Sequence, residues 1–238
     1  MVTFAVRIFI FSLLPLLLAG GVILFDRPSS TKERKLETVL IFLFAISVAG
    51  TGIANFFAHF FLSDTVAESI GWEAGSPFQL EVAFANLAMG VLGMVAVSRR
   101  DGFRDATVIA VTVFSLGATV VHIMDIVATG NLAPGNTLQN AINLARPALL
   151  IGFLAASRRA EGSPDSEVGT AAFERWRVPL LKASGPVTIV IAAAYGLGFR
   201  LGQPLLWTLV GVLACAGILA FLLRRSRGLG EKPGLPTE

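Results

Sequence analysis

Seven apolar stretches limit what this chain can fold into. They run near 4–25, 39–62, 78–98, 106–128, 139–157, 179–199 and 204–223. Each is close to the roughly 20 residues that a helix needs to cross about 30 Å of hydrocarbon. Helices are the default, because an open sheet edge cannot be satisfied in lipid. Composition agrees: 54% of the 238 residues are hydrophobic and 15% are charged, with a mean hydropathy of +0.73. A soluble domain carries about 25% charged residues, so that class is excluded. The expectation is an all-α integral membrane protein with seven transmembrane helices.

Charge sets the orientation. Basic residues group as Arg27, Lys32, Arg34 and Lys35; Arg99, Arg100 and Arg104; Arg158, Arg159, Arg175, Arg177 and Lys182; and Arg224, Arg225, Arg227 and Lys232. These are 16 of the 19 Lys and Arg residues, all in alternate connections. The positive-inside rule places those connections in the cytoplasm, which leaves the N-terminus outside and the C-terminus inside. Arg7 followed by Ile8–Phe25 has the flavour of a signal peptide, but an inward N-terminus would send the basic 26–37 loop outward, so the first span is read as retained. Arg outnumbers Lys 15 to 4, a composition that points to a bacterial plasma (inner) membrane. The expected organisation is a first helix and basic loop at 1–37 and a four-helix core of spans two to five at 38–159. A polar linker at 160–178, a two-helix hairpin at 179–223 and a cytoplasmic tail at 224–238 complete it.

Spans two and three resemble spans four and five. The first hairpin has His59, then Ser76-Pro77-Phe78-Gln79, Asn86-Leu87-Ala88 and Ser98-Arg99-Arg100. The second has His122, then Asn136-Thr137-Leu138-Gln139, Asn143-Leu144-Ala145 and Ser157-Arg158-Arg159. Ser or Asn with Gln three residues on is a capping-box pattern, and Pro77 suits a first helical position. A tandem hairpin duplication would give parallel repeats about an axis along the membrane normal.

Ionisable groups at membrane depth are costly and point to function. Counting from the basic edges at 1.5 Å per residue puts His122 and Glu81 roughly 25 Å up and Arg146 about 18 Å up. Asn86 and Asn143 fall near Arg146, and His59 and Asp125 near the outer rim. Asn55 and His59 share a helix face, as do Ser115, His122 and Asp125; such polar and small stripes mark helix interfaces. Asp64, Glu68, Glu73, Glu81 and Asp125 make the outer half acidic, which implies a cation-attracting vestibule. The 64–73 connection reads as a short interfacial helix, with Trp72 at headgroup level.

Two histidines with carboxylates could bind a divalent transition metal through His59, Glu81, His122 and Asp125. The competing reading makes each histidine a hydrogen-bonded interface residue at a helix end. A bis-histidine haem is a lesser metal reading. Arg146 needs a counter-ion, which Glu81 or Asp125 could supply, either structurally or in a proton relay. One cysteine, Cys215, excludes an internal disulfide or Cys-rich metal site. No P-loop, dinucleotide-binding glycine fingerprint, HExxH or Gly-x-Ser-x-Gly is present, and the basic clusters follow from topology and lipid headgroups rather than nucleic acid.

The runs Ile70-Gly71-Trp72, Ser76-Pro77-Phe78-Gln79 and Ala85-Asn86-Leu87-Ala88, within Phe60–Leu154, resemble an uncharacterised family of small bacterial multi-span proteins. The four-helix core is similar in architecture to the DoxX-like group. That resemblance implies a membrane oxidoreductase component linked to quinone, without matching any catalytic residue here.

The function expected is therefore binding or conversion of a small or lipid-soluble molecule at an outward-opening polar site in the four-helix core, metal-assisted or quinone-linked. Glu81, His122 and Asp125 would act as ligands or acid/base groups and His59 as a fourth ligand or gate. Asn86, Asn143 and Arg146 would bind the substrate. The alternatives are a small cation- or proton-coupled transporter using the same residues, or a structural or accessory subunit. The lipid bilayer is the expected partner, with a homo-oligomer or a second membrane subunit beside it. The sequence does not specify a reaction.

Overall fold

The computed structural model describes residues 2–25, 31–164 and 166–228, and their regular structure is entirely helical. The helices are α1 (Ala5–Phe25), α2 (Lys32–Phe61), α3 (Ser63–Ile70), α4 (Phe78–Ser98), α5 (Gly102–Thr129), α6 (Gln139–Glu161), α7 (Ala171–Arg200) and α8 (Pro204–Gly228). A single turn at Pro134–Thr137 leads into α6. Six of them, α1, α2, α4, α5, α6 and α7, are long and apolar enough to cross a membrane. The apolar described part of α8, Leu205–Ile218, is shorter. The expected short helix at 64–73 is α3. Arg27, Lys232 and most of the expected tail lie outside the described residues.

Local chemistry accounts for the ends. Thr31 caps α2 by accepting from the Arg34 amide, and Asp101 caps α5 by accepting from the Phe103 amide. Hydrogen bonds from Arg99 and from that amide hold the Asp101 carboxyl below the usual carboxylate range. Gly71 (φ 81°) and Gly130 (φ 72°) close α3 and α5 in the left-handed conformation. Helix α7 starts at Ala171 rather than at Pro179, because Phe173 and Arg177 bury against the bundle and make the preceding polar stretch helical.

Helix α2 is the hub. Every residue from Leu40 to Ala49 is buried. It packs on α1, α4, α6 and α7; α4 also packs on α5, α5 on α6, and α8 on α7. Two π-helical segments, Phe9–Leu13 in α1 and Leu43–Gly50 in α2, meet in this core. Ser47 donates to the Phe11 carbonyl, and Thr188 of α7 donates to the Ala45 carbonyl at 2.9 Å. Side chains from neighbouring helices thus bond to carbonyls within both irregular segments, where the backbone ladder departs from the α pattern. Glycines bring α4 against α2: a Cβ on Gly52 would lie 2.6 Å from the Asn86 carbonyl oxygen, and one on Gly93 2.6 Å from the Ala49 nitrogen.

The basic end is tied together from inside. Glu37, 1% exposed, takes two bonds from Arg104 (2.7 and 3.0 Å) and one from Arg177 Nε (2.6 Å), with Arg100 Nε at 3.7 Å. Arg104 also donates to the Ala96 and Val97 carbonyls, and Arg177 to that of Ser98, which satisfies the end of α4. Arg100 pairs with Glu161 at 2.8 Å, Arg158 with Asp105 at 2.6 Å and Arg34 with Glu167 at 2.7 Å. The basic clusters were expected to face lipid headgroups; several of their arginines instead lock α2, α4, α5, α6 and α7 together.

Candidate functional site

At the opposite end, α5 and the turn before α6 form one hydrogen-bonded unit. His122, 7% exposed, donates from Nδ1 to Asn136 Oδ1 at 2.7 Å. Asn136 Nδ2 in turn donates to Asp125 Oδ2 at 2.8 Å. Trp72 Nε1 and Asn131 Nδ2 reach the same oxygen at 2.9 and 2.8 Å. The Trp72 ring stacks on the His122 ring, 5.3 Å between centroids and 21° between planes. Asn131 also donates to the Ile70 carbonyl and packs against Gly71. These bonds fasten the α3 end and the 130–136 connection onto α5.

The other expected ligands lie apart. His59 donates from Nδ1 to Gln79 Oε1 at 2.6 Å. Glu81 is exposed in the first turn of α4 and makes no hydrogen bond or ion pair among the described residues. Among the described residues no three His, Cys, Asp or Glu side chains converge as a metal site would require. His122 and Asp125 are joined through Asn136, and His59 and Glu81 do not join them. The reading of each histidine as a hydrogen-bonded interface residue fits this geometry; the four-ligand metal site does not. Gln79 and Gln139 were expected to close capping boxes. Gln79 instead holds His59, and Gln139 Nε2 donates to Asn143 Oδ1 at 3.0 Å. Tertiary contacts take the side chains that local capping would have used.

The expected counter-ions of Arg146 are also elsewhere. Arg146 makes no ion pair among the described residues, and its Nε is buried without a hydrogen-bond partner. Gln139 Oε1, Asn140 Oδ1 and Thr51 Oγ1 are likewise buried and unpaired in hydrogen bonds. Arg7 lines one cavity together with His59 and Tyr195. Arg7 Nη2 donates to Asn55 Oδ1 at 3.0 Å, Asn55 Nδ2 to Asn86 Oδ1 at 3.2 Å, and Asn86 Nδ2 to the Val82 carbonyl at 2.8 Å. Of the expected binding residues, Asn86 thus supports the amide that holds Arg7, and Asn143 is engaged within its own helix.

Beside this relay lies a cavity of about 1090 Å³, between α1, the C-terminal part of α2, α3, the Ala133–Pro134 connection and α7. Ligand pockets run from about 300 to 1,000 Å³, so this one is at the large end. Its polar lining includes Arg7, Asn55, His59, Tyr195 and Arg200, with Glu68 its one acid among the described residues. Phe57, Phe61, Ile189 and Leu197, also in the lining, are 43–65% exposed, so the mouth carries apolar surface suited to lipid. Tyr195, Arg200 and Arg7 were not singled out as binding residues from sequence. Their signal was faint but present: Arg7, Arg146 and Arg200 are the three basic residues outside the four basic clusters, and Tyr195 is the only tyrosine.

No curated protein and no solved structure matches this chain significantly. A family model does match, over residues 5–163, the stretch from α1 through the end of α6. The chain belongs to DUF6790, a family of unknown function.

Proposed function

We propose that this protein binds a lipid-soluble molecule in the outer-half cavity between α1, α2, α3 and α7. In this reading it crosses a bacterial inner membrane seven times, N-terminus outside and C-terminus inside, with α2, α4, α5 and α6 as a four-helix core. Arginines of three basic clusters, meeting around Glu37 and Glu161 at one end of the bundle, support that orientation. The observation that carries the binding role is the cavity itself. It is roomy and apolar at its mouth, with Arg7, Asn55, His59 and Tyr195 on its walls. The arrangement combines the apolar walls and few convergent polar groups of small-molecule sites. Among the described residues no group of three His, Cys, Asp or Glu side chains converges there, so the reading is one of binding.

The test is mass spectrometry of organic extracts from protein purified in mild detergent. Wild type should retain one lipid-soluble compound at near-stoichiometric amount. Ala192→Trp, which fills the cavity from the α7 wall, should lose it while remaining folded. Equal retention by both proteins would refute the cavity as the site.

A further inference from the structure

Resting on that reading, we propose that the cavity selects a neutral amphipath with a free hydroxyl head, such as a long-chain alcohol or a partial glyceride. His59 Nε2 accepts the O–H of the ligand, the Tyr195 hydroxyl donates to the same ligand oxygen, and the apolar chain runs past Phe57 and Ile189 toward lipid.

Most polar groups of the wall are already engaged. Asn55 accepts from Arg7 at 3.0 Å and donates to Asn86 at 3.2 Å. The Ser69 hydroxyl donates to the Val66 carbonyl at 2.8 Å. Glu68 and Arg200 carry charge but are exposed. Two neutral groups keep bonding capacity. His59 gives its Nδ1–H to Gln79 Oε1 at 2.6 Å, so in the neutral ring Nε2 carries the lone pair. Tyr195 is 8% exposed, and its ring packs edge-on against Phe11 at 5.3 Å. Neither His59 Nε2 nor the Tyr195 hydroxyl makes a hydrogen bond among the described residues, and neither atom is fully enclosed by protein. Both residues line the one cavity. The helices bring them to the same place. Asn55, bonded to Arg7, lies four residues before His59 on α2, and Phe11, in contact with Tyr195, lies four residues after Arg7 on α1.

The pair defines the head. An ether or a ketone can accept from Tyr195 but has no proton for Nε2. A hydroxyl is donor and acceptor in one group and satisfies both. A site that bonds a hydroxyl discriminates against the analogue lacking it, because its own polar atom is then left unpaired. Phe57 and Ile189, 53% and 65% exposed, give the chain of such a molecule a route to the bilayer.

The experiment measures equilibrium binding to wild-type protein in phosphatidylcholine nanodiscs, each probe corrected for its partition into empty nanodiscs. The probes are hexadecanol, hexadecyl methyl ether and hexadecyl sulfate. Hexadecanol should bind at least about fivefold tighter than the ether, the effect of one neutral hydrogen bond, and tighter than the sulfate. Tyr195→Phe should weaken alcohol and ether alike and keep their ratio. His59→Phe should bring that ratio close to one. Equal binding of alcohol and ether by wild type would overturn hydroxyl selection, and so would tighter binding of the sulfate. A ratio unchanged in His59→Phe would overturn His59 as the acceptor. Binding of none of the probes would also overturn hydroxyl selection. The cavity reading is decided separately, by whether Ala192→Trp loses its extracted compound. The headgroup comparison needs no variant, so a folding defect in either one cannot rescue the idea.

Discussion

Glu37 and Arg104, 67 positions apart, meet through two parallel hydrogen bonds of 2.7 and 3.0 Å with both side chains 1% exposed. Glu37 is the acid that Arg104 and Arg177 share. Removing its charge leaves Arg104 buried with no anion and Arg177 with only the Glu174 contact at 3.5 Å, and breaking a buried pair from one side costs about 3–5 kcal/mol. Glu37→Gln should therefore lower the thermal unfolding midpoint steeply and reduce membrane accumulation. Arg100→Gln removes a 3.7 Å contact with Glu37 and a 2.8 Å pair with the more open Glu161, and should cost less. Melting curves in detergent give the order directly; equal losses would show that the network does not centre on Glu37.

The glycines of the α2–α4 crossing should not tolerate a methyl group. Gly52→Ala places a Cβ 2.6 Å from backbone atoms Asn86 O and Gly90 Cα, and backbone cannot rotate away. The cost is about 1–3 kcal/mol or more. Gly117 on α5 has nothing within 4 Å of the same atom. Gly117→Ala should be neutral or stabilising by up to about 1 kcal/mol from helix propensity. Comparing the two unfolding midpoints checks the close approach; matched midpoints would deny it.

Asp125 should act as a fastener rather than as a ligand. Asp125→Ala leaves the Trp72 indole and the Asn131 and Asn136 amides without their shared acceptor. Water can replace part of the loss at this partly exposed position, so only a modest fall in the unfolding midpoint is expected. The connections 71–77 and 130–133 should become sensitive to protease added from outside, while exposed Glu73→Ala should leave them as they are. Unchanged cleavage in Asp125→Ala would mean that these loops are held by packing alone.

Six apolar spans and the short helix after the second were legible because hydropathy acts within a few residues of the chain, whereas the two capping boxes were misread because Gln79 and Gln139 bond His59 and Asn143 instead. The site was less legible because its logic is pairing across helices. His59 and His122 looked like metal ligands by residue type, and only tertiary contacts show that each donates to an amide, Gln79 or Asn136, at the head of the next hairpin arm. Glu37 went unnoticed beside Lys32, Arg34 and Lys35, where an acid looks like ordinary loop composition. Arg146 drew attention as an ionisable residue at membrane depth; its Nε is buried without a hydrogen-bond partner, and no spacing rule encodes that.

Orientation can be tested with the chain's own simplicity. Cys215 is the only cysteine and is buried against the Val187 carbonyl, so Cys215→Ala supplies a thiol-free background. Single cysteines then go to exposed connection residues at opposite ends, Glu73→Cys and Ser163→Cys. The proposed orientation puts Ser163 in the cytoplasm and Glu73 outside. A membrane-impermeant maleimide should label Glu73→Cys in intact cells and Ser163→Cys only after permeabilisation. Arg34 and Glu167, bonded at 2.7 Å, put the start of α2 at the same end of the bundle as the connection that carries Ser163. Labelling in the reverse order would invert the protein and put the cavity mouth at the cytoplasmic leaflet, changing which lipids could reach Arg7.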